Sequence, residues 1–301
     1  MHDFVSEFWS WYIIIPTILG LVGCVVLLLK NTGGKTDPDK KVETMGHIWD
    51  EDLEELNNPL PLWWLFMFYF TIVFAVIYLV LYPGLGSFEG ILGWSQVNAY
   101  EKEKVVAGEK YDPIFDKYIN QNLIAVAGNP EAITIGKRLF SAYCTQCHGS
   151  DAGGARGYPS LRDDDWLFGG KPEDIKKSIL EGRVGAMPAW EEVLDTKEIF
   201  NVAEYVRSLS GHEGDSTVIS RGKESFVKNC VVCHGTDAGG NYQFGAPNLT
   251  NNIWLYGGSQ NRVIESISKG RNGQMPPHKE FLGEAKAHLL AAYVYSLTQK
   301  E

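Results

Sequence analysis

The sequence predicts an all-α chain in which two N-terminal transmembrane helices precede two tandem copies of one small helical domain. Three observations predict this: two long apolar segments, an internal repeat of about 80 residues, and apolar residues at helical spacing within each repeat unit. No alternating strand pattern of any length appears. The predicted domains are a membrane anchor (1–90), a connector (91–132) and the repeat units (133–211 and 217–301).

Two apolar segments, residues 8–29 and 61–82, are long enough to cross a membrane. The first holds 22 residues without a charge, and at a rise of 1.5 Å per residue these span about 33 Å, close to the hydrocarbon thickness. It has no basic leader and no cleavage pattern, which favours a retained anchor over a signal peptide. Trp63, Trp64 and Tyr82 flank the second segment, as interfacial aromatic residues do.

The lysines around these segments predict their orientation. The N-terminal flank has no Lys or Arg, whereas the loop between the segments holds Lys30, Lys35, Lys40 and Lys41. Because short basic loops remain in the cytoplasm, both termini are expected outside. The predicted location is the bacterial inner membrane, with the repeat units in the periplasm and lipid around the anchor.

The charge balance excludes one class of partner. The formal net charge is −10, and no basic patch stands out. Nucleic-acid binding therefore has no electrostatic support.

A six-residue motif defines the repeat. Cys144-Thr-Gln-Cys147-His148-Gly149 recurs 86 residues later as Cys230-Val-Val-Cys233-His234-Gly235. Two cysteines one helical turn apart, followed by a histidine, indicate covalent attachment of a c-type haem with the histidine on its iron. The alternatives are a thioredoxin-like redox pair, which needs a βαβ context, and a zinc site, which needs further ligands. Two motifs predict two haem c groups.

A methionine in each repeat is the candidate for the second axial ligand. Met187-Pro188 and Met275-Pro276 occupy equivalent positions 88 residues apart, and these are the two methionines of the soluble part. Methionine ligation raises the potential of a haem. The spacings of 43 residues from Cys144 and 45 from Cys230 fit closure within one unit, although each repeat could instead lend its methionine to the other.

Other residues have less specific predicted roles. His278 and His212 are competing ligands. The aromatic residues expected in the haem pockets or between helices are Trp166, Trp254, Tyr205 and Tyr293. The acidic residues expected on a solvated face, with docking of a basic cytochrome as the alternative, are Asp163, Asp164, Asp165, Glu191 and Glu192.

The repeat units resemble class I cytochrome c domains, with a helix, C-x-x-C-H, a loop carrying Met-Pro and a final helix. The N-terminal region is similar to that of the dihaem subunit of cbb3-type cytochrome c oxidases. The segments that carry this resemblance are His47-Ile-Trp49-Asp50, Asn58-Pro59-Leu60-Pro61-Leu-Trp63-Trp64 and Tyr78-Leu-Val-Leu-Tyr82-Pro83-Gly84.

The resemblance implies an electron-transfer subunit of an oxidase complex without a catalytic centre of its own. Such a subunit takes electrons from a soluble or membrane-bound cytochrome c. It passes them to a monohaem subunit and to a haem-copper catalytic subunit that reduces oxygen to water and pumps protons; a small membrane subunit is a further expected partner. The alternatives are a cytochrome subunit that anchors a periplasmic dehydrogenase and a tethering protein with structural haems.

Overall fold

A computed structural model of the chain describes residues 6–32, 42–58 and 60–299. Contacts divide the chain into two compact units, Met1–Gly108 and Glu109–Glu301. Lys35, Lys40 and Lys41, on which the predicted orientation partly rests, lie outside the described residues, as does Pro59.

The first unit contains the two apolar helices and a short hairpin. Its elements are α1 (Glu7–Asn31), β1 (Thr44–Trp49), β2 (Leu53–Leu56) and α2 (Leu62–Leu81). Both helices are long and apolar enough to span a membrane, and α2 buries none of its residues. Near one end of α1, the backbone N–H of Ser87 donates to Ser10 Oγ at 3.0 Å. An apolar helix exposed on every side suits a lipid environment, as the sequence predicts.

A hairpin lies between the apolar helices. Strands β1 and β2 pair antiparallel, with Ile48 opposite Glu54 and Trp49 opposite Leu53. The turn takes Asp50 and Glu51 to positive φ angles of 45° and 76°, a region that Asp tolerates better than most residues. The predicted fold class did not include this short hairpin.

The remaining elements are mostly helical, in agreement with the predicted fold class. They are α3 (Gln96–Ile119), α4 (Leu123–Ala127), α5 (Pro130–Tyr143), α6 (Thr145–His148), α7 (Pro172–Glu181), β3 (Arg183–Met187), α8 (Thr196–Leu209), α9 (Ser216–Asn229), α10 (Val231–His234), α11 (Gln260–Lys269), β4 (Arg271–Met275) and α12 (Lys279–Thr298). Helix α12 is interrupted at Gly283, where φ is 73°.

Local capping residues begin the helices of the repeats. The Asn129 side chain accepts from two backbone N–H groups at the start of α5, and Pro130 occupies the first turn. Asp195 and Glu198 form a capping box at α8, and Asp215 caps α9. Each side chain satisfies N–H groups that lack a partner within the helix, so these starts are encoded locally.

The two repeats exchange their last helices. Helix α12 of the second repeat packs against α5 and α7 of the first, while α8 of the first repeat packs against α9 and α11 of the second. Two apolar cores result. The first core includes Phe140, Ile175 and Ile179 of the first repeat and Leu289 of the second.

The second core mirrors the first. It joins Val202 and Val206 of the first repeat to Phe226 and Val263 of the second. Neither core is built from one repeat alone.

The connector belongs to the first core. Tyr118, Leu123 and Val126 of α3 and α4 are buried there, and α4 packs on α12. The expected connector is thus largely helical and covers one of the two exchanged helices.

Glycines allow the exchanged helices to cross closely. A Cβ on Gly136 of α5 would lie 2.6 Å from the Leu289 carbonyl oxygen of α12, and a Cβ on Gly222 of α9 would collide with the Asn201 carbonyl of α8. The aromatic partners meet beside these crossings, with ring centroids 5.5 Å apart for Phe140 and Tyr293. Close backbone approach explains why glycine suits both positions.

The last feature is a two-stranded ribbon between the repeats. Strand β3 of the first repeat pairs antiparallel with β4 of the second, with Arg183 opposite Met275, Gly185 opposite Gly273 and Met187 opposite Arg271. The all-α expectation missed this ribbon. Its strands have five residues each, too short for a clear alternating signal.

Candidate haem sites

Each C-x-x-C-H motif forms one helical turn. The N–H groups of Cys147 and His148 both donate to the Cys144 carbonyl, at 3.2 and 3.0 Å. The turn stops at Gly149, where φ is 78°, a conformation that glycine adopts without strain. The turn from Cys230 to His234 repeats these bonds at 3.2 and 3.0 Å.

The motif histidines have a fixed tautomer. His148 Nδ1 lies 3.0 Å from the Pro159 carbonyl oxygen, and His234 Nδ1 lies 3.2 Å from that of Pro247. A carbonyl only accepts, so each Nδ1 carries the proton and each Nε2 keeps a free lone pair. Burial lowers the pKa of both imidazoles, while the bonds to Pro159 and Pro247 oppose that shift. A neutral imidazole with a free Nε2 is the form that binds a metal.

The first cysteine of each motif is not an activated thiolate. Burial, with a smaller contribution from the second cysteine of each motif, raises the pKa of Cys144 and of Cys230 to about 11. Redox-active C-x-x-C pairs have lowered thiol pKa values instead. Within the described residues, no group of three or more His, Cys, Asp or Glu side chains gathers as a metal site would require. The raised pKa of these thiols disfavours the thioredoxin interpretation and suits thiols that form thioethers.

Each methionine packs against the core that holds the C-x-x-C-H turn of the other repeat. Met275 and Cys144 both pack against the first core, and Met187 and Cys230 both pack against the second. Each core therefore brings together the C-x-x-C-H turn of one repeat and the methionine of the other. This packing favours the exchanged arrangement over closure within one unit.

Two glycines let the chains cross at these methionines. A Cβ on Gly182 would collide with the carbonyl of Met275, and one on Gly270 would collide with that of Met187. Both glycines have positive φ, 71° and 68°. The first repeat therefore lies in backbone contact with the Met-Pro segment of the second, and the reverse also holds.

Backbone hydrogen bonds fix the segments that follow the methionines. The N–H of Trp190 donates to the Ile267 carbonyl at 3.1 Å, and the N–H of His278 donates to the Ile179 carbonyl at 3.0 Å. Both bonds join one repeat to the other. The methionine loops are thus held by the partner repeat's helix rather than by their own.

The competing histidines have different surroundings. His212 is exposed, and its Nδ1 lies 3.3 Å from Ser210 Oγ, away from both cores. His278 has a buried Nδ1 without a hydrogen-bond partner and lies close enough to His148 to lower the pKa of that imidazole, after burial itself. His278 thus belongs to the first site.

The predicted aromatic residues all pack against the cores. Trp166 and Tyr293 lie at the first core, and Trp254 and Tyr205 lie at the second. Of the predicted acidic face, the exposed members are Asp164, Glu191 and Glu192, whereas Asp163 and Asp165 line a cavity between the repeats. Burial raises the pKa of Asp165, so this carboxyl is not part of a solvated face.

The structure adds residues that sequence reasoning missed. Each of Arg183 and Arg271 lies four positions before the methionine of its own strand. Across the ribbon, Arg183 lies opposite Met275 and Arg271 lies opposite Met187. The pattern R-x-G-x-M-P occurs in both repeats, with arginine, glycine and methionine at period two. One alternation of five residues is too short to indicate a strand, so its recurrence in both repeats was the available signal.

These features fit a c-type haem at both sites. Each site offers two thiols on one helical turn, a neutral histidine with a free Nε2 and a thioether sulfur from the facing repeat. Fold and sites together define a membrane-anchored cytochrome c with two tandem domains.

Family models match the same regions. The model described as the N-terminal domain of cytochrome oxidase-cbb3, FixP, matches residues 41–89. The model described as cytochrome c oxidase, cbb3-type, subunit III matches residues 131–206 and 217–294.

Curated relatives agree with the models. A cbb3-type cytochrome c oxidase subunit CcoP of Rubrivivax gelatinosus is 43% identical over 99% of this chain and 98% of its own length. A CcoP of Rhodobacter capsulatus is 41% identical over 87% of this chain and 98% of its own length. A FixP of Azorhizobium caulinodans is 40% identical over 84% of this chain and 92% of its own length. The chain belongs to the family of the CcoP/FixP cytochrome c subunits of cbb3-type oxidases, an electron-transfer family, and the predicted resemblance is confirmed.

Proposed function

We propose that the chain holds two haem c groups and relays electrons within a cbb3-type oxidase. Cys144 and Cys147 would hold the first haem, with His148 and Met275 as axial ligands. Cys230 and Cys233 would hold the second, with His234 and Met187. This assignment rests on the packing of each methionine against the core that holds the C-x-x-C-H turn of the other repeat.

The residues of each site have distinct tasks. The thiols anchor the haem, which supplies one-electron redox chemistry at its iron when bound. The Pro159 and Pro247 carbonyls hold the imidazoles in the tautomer that ligates, and a bond to the second nitrogen strengthens the imidazole as a donor. The surrounding apolar cores exclude water and favour the less charged reduced state, and methionine ligation raises the potential further.

The two sites suit a relay because one ribbon joins them. Arg183 lies beside the first site and Met187 beside the second, four residues apart on one strand. An extended strand of that length spans about 13 Å. The two sites therefore lie at opposite ends of the short, hydrogen-bonded ribbon of β3 and β4.

The chain would accept electrons from a soluble or membrane-bound cytochrome c on the periplasmic side of the bacterial inner membrane. It would deliver them to a monohaem subunit and to the haem-copper subunit that reduces oxygen and pumps protons. A small membrane subunit and lipid would surround the anchor. Oxygen chemistry would belong to the haem-copper subunit. The relatives named as cbb3 subunits support this proposal over a dehydrogenase anchor.

Methionine variants in single-haem backgrounds test the ligand assignment. Cys230→Ala with Cys233→Ala leaves the first haem alone, and Cys144→Ala with Cys147→Ala leaves the second. In the first background, Met275→Ala should abolish the methionine–iron charge-transfer band and make the haem bind carbon monoxide, while Met187→Ala should do neither. The second background should show the reverse. If the band is lost instead when the methionine of the same repeat is replaced, each haem is ligated within one repeat, and the exchanged assignment is wrong.

Purification of the full chain in mild detergent tests the complex. The reduced-minus-oxidised spectrum should contain b-type as well as c-type bands, with a high-spin haem that binds carbon monoxide. A preparation with c haem alone, inert to carbon monoxide and bound to a dehydrogenase, would contradict the oxidase assignment.

A further inference from the structure

One face of the ribbon carries two arginines besides the two methionines. Along each strand, the first, third and fifth residues are partly buried and the second and fourth are exposed. That face therefore presents Arg183 across from Met275 at one end and Met187 across from Arg271 at the other. Because Met275 packs at the first core and Met187 at the second, each haem site has its own arginine.

Arg271 is held firmly but incompletely satisfied. Its Nε–H donates to Ser266 Oγ at 3.0 Å, Nη1 lies 3.3 Å from Glu265 Oε1, and the guanidinium lies 4.6 Å from the centroid of the Tyr256 ring. The side chain is 18% exposed. Its Nη2 is buried and has no hydrogen-bond partner. A buried guanidinium nitrogen without a partner is costly, so an acceptor is expected there.

Positive charge is in excess around Arg271. Glu265 also pairs with Arg262 at 2.8 Å and with Arg156 at 3.3 Å. One carboxylate cannot neutralise three guanidinium groups, and these bonds, that of Arg262 first, lower the pKa of Glu265. Arg156 and Arg262 also line a cavity of about 510 Å³ together with Tyr256, and Asp163 and Asp165 line the same cavity. The group formed by Glu265 and its three arginine partners still carries a net positive charge, which favours a further anion at Arg271.

Arg183 has the same kinds of support at the first site, although its Nη2 has a partner, the Asp174 carbonyl oxygen at 3.4 Å. Its Nε–H donates to Ser178 Oγ at 2.9 Å, and its guanidinium lies 5.2 Å from the centroid of the Phe168 ring. The position equivalent to Glu265 is Lys177, so no carboxylate at that position neutralises Arg183. Two arginines with the same serine and aromatic supports, one at each site, indicate a shared task rather than a chance contact.

We propose that Arg271 binds a carboxylate of the haem in the second site and that Arg183 binds one in the first. Each haem carries two propionate carboxylates, and the planar guanidinium binds a carboxylate through paired hydrogen bonds. This inference rests on the proposed function, since it requires a haem at each site. Each arginine is then a positioning residue that also raises the potential, because a cation nearby disfavours the more positively charged ferric iron.

Redox titration of the purified full chain, followed by absorption, tests the inference. Arg271→Met should lower the midpoint potential of one haem by about 59 mV, a tenfold change in the one-electron equilibrium, and leave the other unchanged. Arg183→Met should lower the other haem by a similar amount. Arg262→Met is the matched control, because Arg262 pairs with the same Glu265 but is 46% exposed; its effect should stay below threefold, since solvent screens it.

Unchanged potentials in both Arg271→Met and Arg183→Met, or an equal shift in the Arg262→Met control, would overturn the inference. If Arg271→Met lowers haem content, Arg271→Lys, which keeps the charge, decides instead. Its second-site potential should lie between those of the wild type and of a neutral variant, and a wild-type value with wild-type haem binding would argue against a paired carboxylate contact.

A free anion would use the same arginines, so inorganic phosphate is titrated at constant ionic strength. A haem carboxylate leaves the potential independent of phosphate, whereas a phosphate-dependent potential would overturn the inference in favour of a free anion. Fewer than two covalent haems in the wild-type chain would instead contradict the proposed function. Two covalent haems with methionine–iron bands, whose potentials do not change in the Arg→Met variants, would contradict the arginine assignment alone.

Discussion

The two candidate haem sites are built from the same parts but have different surroundings. Each combines a C-x-x-C-H turn and its preceding helix from one repeat with a methionine strand and a final helix from the other. The first core is additionally covered by the connector helices, whose Tyr118, Leu123 and Val126 are buried in it. Nothing equivalent is described beside the second core. The repeats therefore form a reciprocal pair in which only one partner has acquired an extra layer.

The sites also differ next to the iron ligands. His278 of the first site corresponds to Trp190 of the second, and Lys177 near the first corresponds to Glu265 near the second. The shared residues are those that attach the haem or let helices cross, which geometry restricts tightly. The residues that differ alter charge and polarity without altering that geometry. The comparison shows how two copies of one unit can place the same candidate haem ligands in different electrostatic environments.

The largest expected effect comes from breaking both cores at their central ring. Phe140 and Phe226 are each 1% exposed, so either Phe→Ala change should lower the free energy of unfolding by about 3–5 kcal/mol. Because each core contains both repeats, both variants should lower one shared thermal transition, measured at the haem absorption band. Val227→Ala on the exposed side of α9 is the control and should change little. Two separate transitions, with only one moved, would contradict the reciprocal architecture.

A smaller effect should sharpen the difference between the cores. Leu123 of the connector is 2% exposed, and Leu123→Ala should cost about 2–3 kcal/mol, less than a central ring because the short helix α4 can settle into the cavity. Since α4 packs on α12, the carbon monoxide reactivity of the first haem should rise before that of the second during heating. The neighbouring Ile124→Ala, 58% exposed, should leave both unchanged. Equal sensitivity of both haems would show that the connector stabilises the unit as a whole.

The smallest effect concerns a surface ion pair found in one repeat. Arg162 Nη1 lies 3.1 Å from Asp151 Oδ2, and both side chains are more than half exposed. The equivalent of Arg162 in the second repeat is Thr250. Arg162→Gln should leave the melting temperature unchanged within error, since exposed ion pairs contribute little. Thr250→Gln serves as the matched control, and a clear drop confined to Arg162→Gln would show that the pair stabilises the motif loop.

Local patterns predicted much of the fold. The apolar segments predicted α1 and α2, and apolar residues at helical spacing predicted the helical repeat units that the structure contains. The hairpin and the ribbon escaped prediction for a shared reason. Strands of four to six residues carry too few alternations to be distinguished from loop, and their pairing depends on segments elsewhere in the chain.

The sequence by itself determined the chemistry: two C-x-x-C-H turns, two equivalent methionines and an apolar anchor, because each depends on residue type and short spacing. Only the tertiary structure decided which methionine faces which turn. Each methionine follows the first cysteine of its own repeat by 43 or 45 residues. These spacings are long enough for the methionine to reach the site of either repeat. The choice depends on which surfaces bury each other, and here Gly136 and Gly222 admit the final helix of the opposite repeat. The same crossing brings Arg183 and Arg271 to the haem sites, a placement that no local pattern could specify.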